Sequence, residues 1–148
     1  MAKTMRLIQV CLLAVLAVAP ASAQQCDVFT TGTVNGSVLD VDLYIQNSSS
    51  PFVLGTSSFV IQYDPAAVGS PVVVPENDGP WSAGDADYWP LSSVDHGAEG
   101  YADLVVFFNG GADQSGEYVT DVPRRVGTLR FTILNPGRLT NDISVSRT

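Results

Sequence analysis

His96 is the chain's only histidine, and it directly follows Asp95 in a polar, Gly-containing stretch. One imidazole beside one carboxylate lacks the nucleophile that a Ser-His-Asp or Cys-His arrangement needs, and no serine stands in a nucleophile elbow. The sequence holds no zincin helix and no phosphate-cradling glycine loop. His96 therefore reads as a solvated turn residue. Scattered aspartates leave a carboxylate pair for glycoside hydrolysis formally open, but acids spread over loops are usually a solvated surface. The reactive residue types point away from catalysis.

Two other groupings invite binding. Trp81, Tyr88, Trp89 and Tyr101 cluster in or beside a polar loop, where large rings stack on a flat apolar partner such as a sugar face or a side chain. The competing reading makes Trp81 and Trp89 satellite core that caps an open edge, because tryptophan is usually mostly buried. Asp78, Asp85, Asp87, Asp95 and Asp103 offer the oxygen ligands that calcium takes, although their spacing matches no EF-hand loop. No cofactor is required. Structural calcium is the expectation these acids raise against the commoner one of solvated loop carboxylates.

Charge narrows the partners. Residues Gln24 to Thr148 carry five arginines, no lysine and all fifteen acidic residues, a formal charge near −10. Such a field repels nucleic acid and anionic lipid, which removes both as partners. Arg124-Arg125 is the only concentrated positive charge, and it either meets an acidic partner or offsets nearby Glu117 and Asp121. Asn35-Gly36-Ser37 and Asn47-Ser48-Ser49 match glycosylation sequons but also suit plain turns.

The amino terminus reads as an export signal. Lys3 and Arg6 precede an apolar run from Leu7 to Ala19, then Pro20 and the small-residue triplet Ala21-Ser22-Ala23. That order fits a signal peptide over residues 1–23, with an apolar stretch too short to span a bilayer comfortably. No later run approaches spanning length, so the mature chain is not expected to insert in a membrane. Ala23-Gln24-Gln25-Cys26 lacks the small residues of a lipobox, and once Cys11 is removed Cys26 has no intramolecular partner. Residues 24–148 suit one domain, held by packing or bound ions, and the stop before or at its last strand is what a domain truncated at its C-terminus would show.

The elements that position these residues are short strands. Thr30 to Val34 leads through Asn35-Gly36, a strong hairpin signal, into Val38 to Gln46, where Val41, Leu43 and Ile45 share one face against Asp40, Asp42, Tyr44 and Gln46. Phe59 to Tyr63 is a strand closed by Asp64-Pro65, and Val72 to Val74 is a shorter one. Tyr101 to Phe108 is apolar on both faces and should be central, while Arg125 to Leu134 alternates and Ile143 to Val145 is a last weak strand. No helix of convincing length is legible. Eight or nine strands in one all-β domain predict a two-sheet antiparallel β-sandwich of jelly-roll type.

Three segments then resemble a known family. The run Gly55 to Val68, ending in Tyr63-Asp64-Pro65 and small apolar residues, is similar to the hallmark corner of cohesin-like domains. Val126-Gly127-Thr128-Leu129-Arg130-Phe131 is similar to their late "glycine, threonine, leucine, aromatic" strand, and Gly32-Thr33-Val34 with Val41 to Ile45 fits their first two strands. The resemblance covers roughly Val28 to Leu134. It implies a nine-stranded jelly-roll sandwich related to a class of carbohydrate-binding modules, in bacterial secreted or cell-surface proteins. Cohesins bind dockerins, which are calcium-loaded helical modules. Asp78 to Gly100 departs from the family pattern, so no partner-contacting residue is carried over.

The reading that combines these observations is a secreted, extracellular or cell-surface, non-catalytic binding or scaffolding module. It would recognise a dockerin-like protein module or a polysaccharide. A structural spacer of a larger surface protein is the main alternative, and a small glycan-active enzyme the lesser one.

Overall fold

The computed structural model describes residues 25–82, 87–110 and 116–139, and residues 144–146 in backbone. The signal-peptide reading of residues 1–23 lies outside the described residues. Alternation decides the first elements. β1 (Cys26–Asn35) and β2 (Val38–Asn47) form a hairpin in which Leu39, Val41, Leu43, Ile45 and Asn47 point inward and are buried. Asn35 pairs with Val38, so the two-residue loop is Gly36-Ser37, one residue later than an Asn-Gly loop; Gly36 takes a φ of 63° that a side chain would resist.

The remaining described strands are β3 (Phe52–Val53), β4 (Ser57–Gln62), β5 (Val72–Val73), β6 (Ser92–His96), β7 (Tyr101–Val106), β8 (Tyr118–Val119), β9 (Arg124–Thr132) and β10 (Ser144–Ser146). All pair antiparallel, in the orders β1-β2-β9-β5 and β10-β4-β7-β6, with β3-β8 as a separate ribbon. The chain crosses repeatedly between the two four-stranded sheets, and β1 lies beside β10 at one edge as β5 lies beside β6 at the other. This is an all-β sandwich with no α-helix among the described residues. No helix there is long and apolar enough to cross a membrane.

Three strands were not legible in advance. β3 and β8 are two residues each, too short for a period, and β6 sits in the Asp- and Gly-rich stretch with Val94 as its only apolar residue.

The core lies between the sheets. Val41, Leu43 and Ile45 of β2 and Leu129 and Phe131 of β9 meet Ile61 of β4 and Ala102, Leu104 and Val106 of β7. Cys26 is half-buried in β1 and packed against this core. The alternation expected for β9 breaks at a bulge, where Leu43 pairs with Gly127 and Tyr44 with Arg125, leaving Val126 unpaired yet fully buried. A Cβ at Gly127 would lie 2.5 Å from Leu91 Cδ1, so any larger residue in the Val126-Gly127-Thr128-Leu129 segment would require the Leu91 side chain to shift.

The Tyr63-Asp64-Pro65 corner also has a mechanical basis. The Tyr63 ring packs edge-on to Phe131 at 5.2 Å and its hydroxyl donates to Asp95 Oδ1 at 2.5 Å. Asp64 Oδ1 accepts the Ala66 N–H at 2.9 Å while its carbonyl accepts those of Ala67 and Val68. Arg138, 3.1 Å from Asp64 Oδ2, ties the segment after β9 to the same corner.

Candidate functional site

The four aromatic residues expected to form one binding platform do not converge. Trp81 is fully buried; its Nε1–H donates to the Glu117 carbonyl at 3.1 Å, and the Arg124 guanidinium lies over the ring at 5.3 Å. Tyr88 is buried too, its hydroxyl donating to the Leu54 carbonyl at 2.8 Å and its ring against Phe108. Both close one end of the core, the satellite-core reading for Trp81. Trp89 is 59% exposed, so that reading does not hold for it. Tyr101 is half-buried in β7, its ring stacked on His96 at 4.4 Å and its hydroxyl raised above the usual tyrosine value by a hydrogen bond to Glu99.

The aspartates do not gather either. Asp95 is committed to the corner, where hydrogen bonds from Ser70 and Tyr63 hold its carboxyl below the usual value. Asp78 is partly buried beside Glu76 and Arg125, and burial pushes its carboxyl up; its Oδ1 has no hydrogen-bond partner. Asp87 precedes Tyr88, its carbonyl accepting the Asn109 N–H at 2.7 Å, and Asp85 lies outside the described residues. Among the described residues no three His, Cys, Asp or Glu side chains could hold a metal ion together. Among the described residues Asp78, Asp87, Asp95 and Asp103 therefore form no calcium cluster, and Asp85, the remaining expected ligand, lies outside them.

His96 is not the solvated turn residue that its surroundings suggested. It ends β6, half-buried, with Nε2 3.2 Å from Asp103 Oδ2. Arg124 pairs with Glu117 at 2.8 Å, as the sequence indicated, but Arg125 reaches Asp42 of β2 at 3.8 Å rather than Asp121.

What the structure does assemble is the outer face of the β10-β4-β7-β6 sheet. Register places Ser92, Val105 and Ser58 in one row, Val94, Asp103 and Val60 in the next, and His96, Tyr101 and Gln62 in a third. Beyond the first row Trp89 N–H donates to the Phe107 carbonyl, setting those two side by side, and Thr56 Oγ1 accepts the Phe108 N–H. Trp89, Val94 and Phe107 are exposed. Asp103 is the only carboxylate in these rows, and Ser58 Oγ at 3.1 Å and His96 engage both its oxygens. On a chain of formal charge −8 this face carries few carboxylates, Asp103 within the rows and Glu99 at the Tyr101 end.

The opposite outer face is different in kind. Arg130 grips Asp40 with two hydrogen bonds of 2.7 and 2.8 Å, Arg125 approaches Asp42, and Thr128 donates to Asp42. Arg130 and Arg125 of β9 thus meet Asp40 and Asp42 of β2 within the sheet.

Val60, Val94, Val105 and Phe107 were missed as site residues. For Val105 and Phe107 the signal was the second apolar face of Tyr101 to Phe108: β7 is central within its sheet, as expected, but its second face is open rather than covered.

No family model and no curated protein matches the chain. Solved structures do. A type II cohesin of Acetivibrio cellulolyticus, solved as an N-terminal interface mutant of a cohesin-X-dockerin complex, is 16% identical with a TM-score of 0.50, over 75% of this chain and 72% of that one. The second type II cohesin module of the adaptor scaffoldin from the same organism is 15% identical with a TM-score of 0.45, over 76% of this chain and 66% of that one. The first likeness shows a cohesin-like fold.

Proposed function

We propose, with the cohesin-like fold as premise, that this chain is an exported, non-catalytic docking module whose partner is a protein module of the dockerin type. The observation that carries the reading is the outer face of the β10-β4-β7-β6 sheet, where Trp89, Phe107, Val105, Val94 and Val60 surround one hydrogen-bonded carboxylate. Protein-binding surfaces are depleted of charge at their centre and enriched in aromatic residues, and a flat sheet face with few carboxylates loses little on desolvation. The solved cohesin of similar fold comes from a complex with an X-dockerin, which supports the same class of partner.

A polysaccharide reading has less behind it. Two of its four rings are buried, and Trp89 and Tyr101 stand at opposite ends of the face, about 20 Å apart at the rise of a β-strand. The jelly-roll sandwich would leave the cell through the segment 1–23 and act outside it, the acidic surface keeping it soluble there. Calorimetric titration of residues 24–148 with dockerin modules tests the reading. Saturable one-to-one binding, lost in Phe107→Arg, is expected; no heat with any of them returns the chain to the spacer reading.

A further inference from the structure

We propose that Asn35 is a site of spontaneous deamidation, a chemical modification that needs water alone. The five asparagines among the described residues are 35, 47, 77, 109 and 135. In the reaction the main-chain nitrogen of the following residue attacks the asparagine Cγ. A bond forms between that nitrogen and Cγ, the Cγ–Nδ2 bond breaks, and ammonia leaves with the proton of the attacking N–H. Water then opens the succinimide, at one carbonyl to give aspartate and at the other to give an isoaspartyl linkage through the β-carboxyl. No electrons are exchanged, and the reaction demands a free N–H behind an unrestrained carboxamide.

The fold or the sequence restrains the other four described asparagines. Asn47 is buried with its amide donating to the Val119 carbonyl at 3.1 Å, and the N–H of Ser48 is bound to the Gln25 carbonyl at 3.1 Å. After Asn77, the N–H of Asp78 donates to the Pro75 carbonyl at 3.2 Å. Asn135 is followed by Pro136, which has no N–H to give. Asn109 is exposed and precedes a glycine, so its difference from Asn35 is main-chain freedom: its N–H donates to the Asp87 carbonyl at 2.7 Å, and Gly110 packs so closely on the Phe108 ring that a Cβ would come within 2.1 Å of Cζ, which restricts the rotation that carries the Gly110 nitrogen onto Cγ.

Asn35 has none of these restraints. It and Gly36 are exposed at the hairpin tip, nothing lies within 4 Å of a Cβ placed on Gly36, and neither the Asn35 carboxamide nor the Gly36 N–H has a hydrogen bond among the described residues. Asn35 and Val38 form the last rung of the β1-β2 ladder, which opens more readily than interior rungs. The isoaspartyl product lengthens the main chain by one carbon at that rung and weakens the bond from Ile133 N–H to the Ser37 carbonyl, 2.8 Å in the native hairpin. The hairpin belongs to the sheet opposite the docking face, so the inference stands apart from the proposed function.

The test is to age the folded chain in mildly alkaline buffer and map its peptides by mass spectrometry with an isoaspartate-specific digest, beside a urea-unfolded sample and the variant Asn35→Gln. In the folded chain, conversion at Asn35 should outpace Asn109 several-fold, and the two should converge in urea. Equal conversion of Asn109 in the folded chain, or an unmodified Asn35 when the unfolded chain reacts, would overturn the assignment.

Discussion

Trp89 and Phe107 lie side by side at one end of an open sheet face, joined by a main-chain hydrogen bond of 3.0 Å from the Trp89 N–H to the Phe107 carbonyl, and both rings remain exposed. Side chains that contribute little to the fold are free to serve a partner. Trp89→Ala should change unfolding stability by no more than about 0.5 kcal/mol, as surface substitutions do. If these rings anchor the partner, the same change should weaken docking by about 2 kcal/mol. Chemical denaturation and calorimetry on one variant separate the two effects.

Trp81 should behave in the opposite way. It is fully buried, hydrogen-bonded to Glu117 and covered by Arg124. Trp81→Ala leaves a cavity at the end of the core and should cost about 3–5 kcal/mol in urea unfolding. That is a large share of the roughly 5–15 kcal/mol that holds a typical domain together. Trp81→Phe should recover part of the loss.

The Asp40–Arg130 pair predicts an acid-side effect. Hydrogen bonding and charge from Arg130 hold the Asp40 carboxyl below its usual value, so its ionised form is favoured in the folded state. Its contribution is present above the unfolded value of about 4 and fades as pH falls toward the lower folded one. Thermal unfolding across that acid range should show a shallower decline in Asp40→Asn than in the parent chain.

Tyr63 predicts the alkaline counterpart. Burial and its bond to Asp95 push the hydroxyl up to about 12. The neutral phenol is therefore favoured on folding, and its contribution is complete below the ordinary value of about 10 and lost as pH climbs to the folded one. Ultraviolet titration should show a late tyrosine that Tyr63→Phe removes, and the variant should lose the matching alkaline stability change.

Calcium offers a further check. Asp95 is engaged by Tyr63 and Ser70, Asp103 by Ser58 and His96, and neither shares a cluster with Asp78. Added calcium should leave the melting temperature of the domain where chelator leaves it. A saturable upward shift would point to ligands outside the described residues.

Much of the sandwich was legible because its central strands carry a strict period. Val41, Leu43 and Ile45 alternate with Asp40, Asp42 and Tyr44, and the structure buries the first set and leaves the second half-buried on the outer face. The corner at Tyr63-Asp64-Pro65 was legible as a motif before its hydrogen bonds gave it a reason. What failed was the reading of aromatic residues by proximity in sequence. Trp81 and Trp89 stand close in the chain, yet one plugs the core while the other flanks Phe107 on the surface, since their positions depend on Glu117 and Phe107 far along the chain. His96 was misread for the same reason: its partner Asp103 comes from the next strand, and only the register of β6 on β7 brings the two together.

The central claim, that the outer face of the β10-β4-β7-β6 sheet docks a protein module, is tested most directly by a paired capture. Residues 24–148 and the variant Phe107→Arg are immobilised side by side, exposed to dockerin-bearing proteins of the same organism, and read by mass spectrometry and a binding isotherm. The account predicts a saturable dockerin-type partner on the parent domain and its loss from an equally folded variant. A partner held equally by both, or by neither, would contradict it.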